Sequence, residues 1–181
     1  MKELNLIKKS IKGNKGCLEE LLVINGDQLY RTAYLYVRNR EDALDVVQET
    51  SYKAFLSIGK LKNEEFFLTW LTKILINCSY DVLKKSKKEL PLNNMIELTA
   101  DKREKREEIL DLLEAINSLD KKHKNAIILF YFHDLPISEV ANVMNIPEST
   151  VKTYLSRGKD RLKKLLGGMN CNGEKIISRS I

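Results

Sequence analysis

Apolar residues recur every three or four positions through most of the chain, the spacing that puts them on one face of a helix. Residues 2–12 form a first such segment, ended by Gly13-Asn14. Leu18, Leu21, Leu22, Leu29, Ala33 and Val37 continue the stripe, with a break at Asn25-Gly26. Asn39 is placed as an N-cap, with Asp42 as the capping-box acid three residues on. The helix it opens turns Ala43, Val46, Val47, Thr50 and Ala54 to one side and Asp42, Asp45, Gln48, Glu49 and Lys53 to the other, and Gly59 ends it. A further helix over 65–85 carries Phe67, Trp70, Leu71, Ile74, Cys78 and Val82 as its buried stripe. Lys73, Asn77, Asp81 and Lys84 run along its opposite side.

The pattern then lapses. Residues 89–106 contain the turn formers Pro91, Asn93 and Asn94 and a charged run from Asp101 to Arg106 without an apolar face. They read as a flexible linker, with a long charged helix as the alternative. Periodicity resumes with Ile109, Leu112, Leu113, Ile116 and Leu119. Asp120 is placed as the cap of a helix reaching Phe132, and Asp134-Leu135-Pro136 breaks the chain. Two short helices follow, Ile137–Met144 and Ser149–Leu166, joined by Asn145-Ile146-Pro147; residues 167–181 read as a disordered polar tail. The fold class is therefore all-α: a helical domain over 1–88, a linker over 89–106 and a second domain over 107–166.

Composition narrows the function. With 3 prolines and 8 glycines in 181 residues, the chain favours helix. A net charge of +6 suits nucleic acid or an anionic surface, although solubilising charge alone gives the same total. Cys17, Cys78 and Cys171 are odd in number and far apart, which fits neither a disulfide framework nor a metal pair. No metal or cofactor is expected. The start lacks a signal-peptide apolar run and no stretch approaches membrane-spanning length, so a cytoplasmic protein is expected. A glycine-rich phosphate loop and a catalytic triad are both missing, which argues against an enzyme.

The last two helices have the proportions of a helix-turn-helix. Val140, Ala141 and Met144 give the first a buried face, Ile146 plugs the turn, and Pro147 stands near the start of the second, where its missing N–H costs little. The second helix buries Val151, Leu155, Gly158 and Leu162. It turns Ser149, Lys152, Thr153, Ser156 and Arg157 outward, hydrogen-bonding residues where a recognition helix meets base edges. Lys159, Arg161, Lys163 and Lys164 add charge for phosphates. A helical hairpin with a solvated basic face is the plainer reading of the same pattern.

Ala115–Leu165, with DLPISEVANVMNIPESTVKTYLSRGKDRLKKL, resembles domain 4 of sigma factors of the sigma-70 family, and more narrowly the extracytoplasmic-function (ECF) group. The resemblance implies −35 promoter contacts from Lys152, Thr153 and Ser156 to bases, and from Arg157 and Thr150 to phosphates. Pro136 stands where a serine cap is common, and Tyr154 where an arginine is common, which puts one backbone contact in doubt. In the first block, RNREDALDVVQETSYKAF resembles region 2.2 of the same family. That implies docking of Asp45 and Gln48 on the β′ clamp helices of core RNA polymerase; a solvated acidic face is the alternative from these residues alone. FFLTWLTKILINCSYDVLKKSKK resembles regions 2.3 and 2.4, which implies −10 recognition and opening. Lys73, Asn77 and Lys84 are the candidates for that role, with Lys60 to Glu65 as a loop receiving a flipped base. Trp70 and Cys78 are read as packing residues.

With no room for a domain 3 or an acidic region 1.1, the ECF group is the better fit. Its members direct core polymerase to specific promoters, often under envelope stress. The implied partners are the β′ clamp helices, the β flap, promoter DNA and an anti-sigma factor, which in that group is often membrane-anchored. A dimeric helix-turn-helix regulator is the rival reading.

Overall fold

The computed structural model describes residues 2–86 and 111–166, and every regular element among them is helical. Two compact units result, Met1–Asn94 and Met95–Ile181. The expected linker and tail, and Lys87, Lys88 and Ile109, lie outside the described residues.

The first unit contains α1 (Lys2–Ile11), α2 (Lys15–Ile24), α3 (Gly26–Val37), α4 (Arg40–Ser57) and α5 (Phe67–Ser86), with single 3-10 turns at Ile58–Lys60 and Glu64–Phe66. Its breaks have local causes. Gly13 takes φ +97°, a backbone that side chains rarely adopt, and ends the α1 segment. Asn25 closes α2 by donating its side-chain amide to the Leu21 carbonyl at 2.8 Å. Arg38 ends α3 in the left-handed region, and the Asn39 oxygen accepts the Asp42 backbone N–H at 3.0 Å, opening α4 as anticipated. Gly59 falls inside the first 3-10 turn, since α4 proper stops at Ser57.

Helix α5 is more deeply packed than its apolar stripe suggests. Phe67, Leu71 and Cys78 are buried as expected, but Trp70, Ile74 and Val82 are only half-buried. Leu75, Ile76, Thr69, Thr72 and Ser79 are buried as well. The reason is tertiary: α3, α4 and the second 3-10 turn all pack on α5, so more than one of its faces is covered. Buried hydroxyls are tolerated because they can bond back to the preceding turn, as Ser79 does to the Leu75 carbonyl at 2.9 Å. Val47 of α4 is likewise half-buried, at the edge of the face that Ala43, Val46, Thr50 and Ala54 bury.

The second unit comprises α6 (described over 111–117), α7 (Lys121–Ile127), a π turn (Ile128–Phe132), α8 (Ile137–Met144) and α9 (Glu148–Leu165). The single helix expected from Asp120 to Phe132 therefore changes to π geometry after Ile127. Asp120 occupies the N-cap position without a side-chain cap bond; its carboxylate instead takes Arg161 of α9. In α8 the buried residues are Val140, Ala141 and Val143, while Met144 is half-buried beside the turn. The turn closes through Asn145 at φ +55° and a bond from the Ile146 N–H to the Ala141 carbonyl at 3.1 Å. Helix α9 opens one residue earlier than anticipated, with Pro147 at its N-cap.

Gly158 shows why α7 and α9 pack so closely. A Cβ there would meet Ile127 Cγ1 at 3.0 Å and His123 Cβ at 3.6 Å. Gly158→Val is expected to destabilise this unit by about 1–3 kcal/mol through overpacking, measured as a lower urea midpoint with unchanged m-value.

Candidate nucleic-acid interface

Helix α9 divides its residues sharply. Val151 is fully buried, Leu155, Gly158 and Leu162 lie with it, and Ser149, Lys152, Thr153, Ser156 and Arg157 are exposed on the other side. Thr150 is half-buried at the margin. The five exposed groups thus share a face at the N-terminal part of the helix, and none of the described residues of this unit covers them. Thr153 Oγ donates to the Ser149 carbonyl at 3.0 Å, so in this rotamer it offers outward an acceptor lone pair and a methyl group. Lys152 supplies donors and charge, and Arg157 a planar fork suited to phosphate oxygens.

Tyr154 is half-buried. Its ring meets His123 edge-on at 5.5 Å, and Lys122 Nζ lies 5.5 Å from its centroid. A cleft of about 390 Å³ opens here, lined by Asp120, Lys121, Lys122, Asn125, Met144, Ile146 and Tyr154. Lys121 and Lys122, exposed on α7, therefore flank the recognition helix; the sequence reading did not include them because nothing local ties residue 122 to residue 154. Conversely, Arg161 is engaged by Asp120, so its charge is largely cancelled before it reaches a phosphate. The hydrogen bond and charge of Arg161 hold the Asp120 carboxyl below its ordinary range.

Two histidines in this unit resist protonation. His123 is 5% exposed, and burial lowers its pKa. Burial pushes His133 down to about 4, against the opposing charge of Asp134. The unfolded chain takes up these protons near pH 6.5 while the folded chain does not, so stability is full above that pH and falls as pH drops toward about 4. For His133 the loss is expected to reach about 2–3 kcal/mol. Urea denaturation of the second unit from pH 7.5 to 4 checks this, and His133→Gln should flatten the profile.

In the first unit, Asp45 and Gln48 are both exposed one turn apart on α4. Asp42 is half-buried, and its carboxyl is raised by partial burial and then by the charges of Asp45 and Glu41. The same helix exposes Leu44, Tyr52, Phe55 and Leu56, a run at helical spacing on either side of Gln48. Reading only the polar residues of that face missed this apolar strip. Lys53 is held by Glu49 at 3.3 Å and by Asp81 of α5 at 3.5 Å.

On α5, Lys73, Asn77 and Lys84 are exposed along one side, with Asp81 among them. Trp70 packs against Phe67 with ring centroids 5.9 Å apart. The segment from Lys60 to Glu65 buries Leu61 and leads into buried Phe67 of α5. Within it, Asn63 caps the Glu65 N–H at 3.0 Å, and Lys8 of α1 pairs with Glu64 at 3.2 Å. Lys60, Lys62 and Phe66 remain exposed in and beside this segment. Among the described residues no group of three His, Cys, Asp or Glu could hold a metal ion, and no helix is long and apolar enough to cross a membrane.

Comparison with known proteins accounts for both units. Residues 21–89 match Sigma-70 region 2, and residues 109–162 match Sigma-70, region 4. The RNA polymerase sigma factor SigV of Bacillus subtilis is 35% identical over 150 residues, covering 82% of this chain and 90% of its own. The ECF RNA polymerase sigma factor SigW of the same organism is 27% identical over 176 residues, covering 88% and 94%. Among solved structures, CnrH in complex with the cytosolic domain of CnrY has the same fold, with a TM-score of 0.71 at 21% identity over 91% of this chain and 96% of that one. RpoE of Bartonella quintana, solved with the anti-sigma factor NepR, matches with a TM-score of 0.69 at 23% identity over 82% and 95%. A chain whose described elements are all helical, with both sigma regions in order and with relatives of this similarity along most of its length, belongs to the sigma-70 family and is an ECF RNA polymerase sigma factor rather than an enzyme.

Proposed function

We propose that this sigma factor works through three separate surfaces. Asp45 and Gln48 dock on the β′ clamp helices of core polymerase, with Leu44 and Tyr52 as apolar anchors beside them. Lys73, Asn77 and Lys84 hold the melted −10 strand while the Lys60–Glu65 loop receives an extruded base. The exposed N-terminal part of α9, with Lys152, Thr153 and Ser156 toward bases and Arg157 and Thr150 toward phosphates, reads the −35 major groove while the second unit rests on the β flap. The observation that carries this reading is the division of α9: four buried positions lock it in place, and the residues able to read bases all face outward.

Each contact is modest alone. Joining two readers through one chain and one polymerase makes the second contact intramolecular, so selectivity exceeds what either supplies. Extrusion of a base costs a few kcal/mol, which stacking and phosphate contacts repay. This work takes place in the cytoplasm, where polymerase and promoter are found. The solved complexes of CnrH with CnrY and of RpoE with NepR support an anti-sigma partner for this chain too. A membrane anchor on that partner would tie release to an envelope signal.

Run-off transcription from a genomic library, with core enzyme plus the purified chain, tests the reading. Discrete transcripts sharing a −35 and a −10 element are expected. Transcripts no different from those of core alone would refute it.

A further inference from the structure

Lys73, Asn77, Lys84 and Lys85, exposed on α5, suit a nucleic-acid strand; Asp81, exposed among them, does not. Asp81 lies one turn from Asn77 and from Lys84 and is 65% exposed in its side chain. A carboxylate there stands within a Debye length, about 10 Å at 0.1 M salt, of any phosphate held by its neighbours. Unpaired, it would repel the strand as strongly as one lysine attracts it. The structure supplies a countercharge from a different helix. Lys53 of α4 reaches across to Asp81 Oδ2 at 3.5 Å while its own helix offers Glu49 at 3.3 Å. The Lys53 side chain is itself 39% exposed.

We infer that Lys53 is a positioning residue of the strand-binding surface: it masks Asp81, so that the positive charge Lys73 and Lys84 present to the phosphates is not diminished by the carboxylate between them. Lys53 does not itself touch the strand. It sets the potential around residues that do. The inference rests on the assignment of α5 to the −10 strand, and nothing in the helix-by-helix pattern of the sequence reveals it, since residues 53 and 81 meet only through packing of α4 on α5.

Holoenzyme assembled from the full chain at saturating core tests it, with fork-junction templates of a promoter recovered by run-off and a single-stranded −10 segment. Lys53→Gln should weaken template binding by about three- to tenfold at low salt. The deficit should shrink toward none near 0.5 M salt, where the Debye length is only about 4 Å. Lys53→Arg should retain wild-type affinity, and adding Asp81→Asn to Lys53→Gln should restore it. Unchanged binding in Lys53→Gln, or failure of Asp81→Asn to restore it, would overturn the inference, the second result meaning that Lys53 acts by packing. Lys84→Ala serves as the control for the underlying assignment. If it weakens binding while Lys53→Gln does not, only the masking role fails; if neither does, α5 is not the strand-binding helix.

Discussion

Alanine at both Lys152 and Thr153 is expected to relax −35 discrimination strongly, because a good base contact is worth about 1–3 kcal/mol and the two residues sit one step apart on the same exposed face of α9. Fold stability should be almost unchanged, since neither side chain is buried and, among the described residues, the internal bond at risk is that of Thr153 to the Ser149 carbonyl. The signature is qualitative as well as large. The double variant should bind consensus and scrambled −35 duplexes with a much smaller difference, whereas Lys122→Ala, on the flank of the same surface, should weaken both in parallel and lower the salt slope by about one. Footprinting and salt titration on matched duplexes distinguish these. Retention of wild-type promoter preference in the double variant would mean that another surface reads the −35 element.

Reversing charge at Asp45 while removing the amide of Gln48 should have the second large effect. Asp45→Lys/Gln48→Ala places a cation on a face where Glu41, Asp42 and Glu49 otherwise concentrate negative charge. Truncating one partner of a docked charge pair costs about 2–5 kcal/mol, and reversal adds repulsion. Affinity for core should fall at least about a hundredfold by that arithmetic. Tyr52→Ala offers an independent check, because an exposed aromatic beside the polar pair is the residue type in which binding energy concentrates. It should weaken core binding with little dependence on salt, whereas the charge reversal should be strongly salt-sensitive. Neither change should alter binding of an isolated −35 duplex, since both lie in the other unit. Core affinity that survives the double variant would remove α4 from the docking surface.

Local rules made much of this legible. Asn39 caps α4 because its short side chain reaches the N–H three residues on, an interaction complete within a few residues. The turn at Asn145 and the four buried positions of α9 follow from periodicity in the same way. The outward placement of Lys152, Ser156 and Arg157 then follows from that of Val151 and Leu155, because a helix with one buried face has its other face determined. The readings that needed revision share a different feature. Asp120 looks like a helix cap from its neighbours, yet a guanidinium 41 residues later takes its carboxylate. Trp70 and Ile74 lie on the apolar stripe of α5, yet Leu75 and Ile76 are buried more deeply because three elements converge on that helix.

Residue order by itself determined that the chain is helical, that it carries two modules separated by a polar stretch, and which face of each main helix turns outward. Those properties depend on interactions spanning one or two helical turns. Tertiary structure alone decided which charges remain available. Arg161 is spent on Asp120, Lys53 is shared between Glu49 and Asp81, and Lys122 comes to flank the recognition helix. Coulomb energy depends on distance in space, and packing makes neighbours of groups that the chain keeps dozens of residues apart.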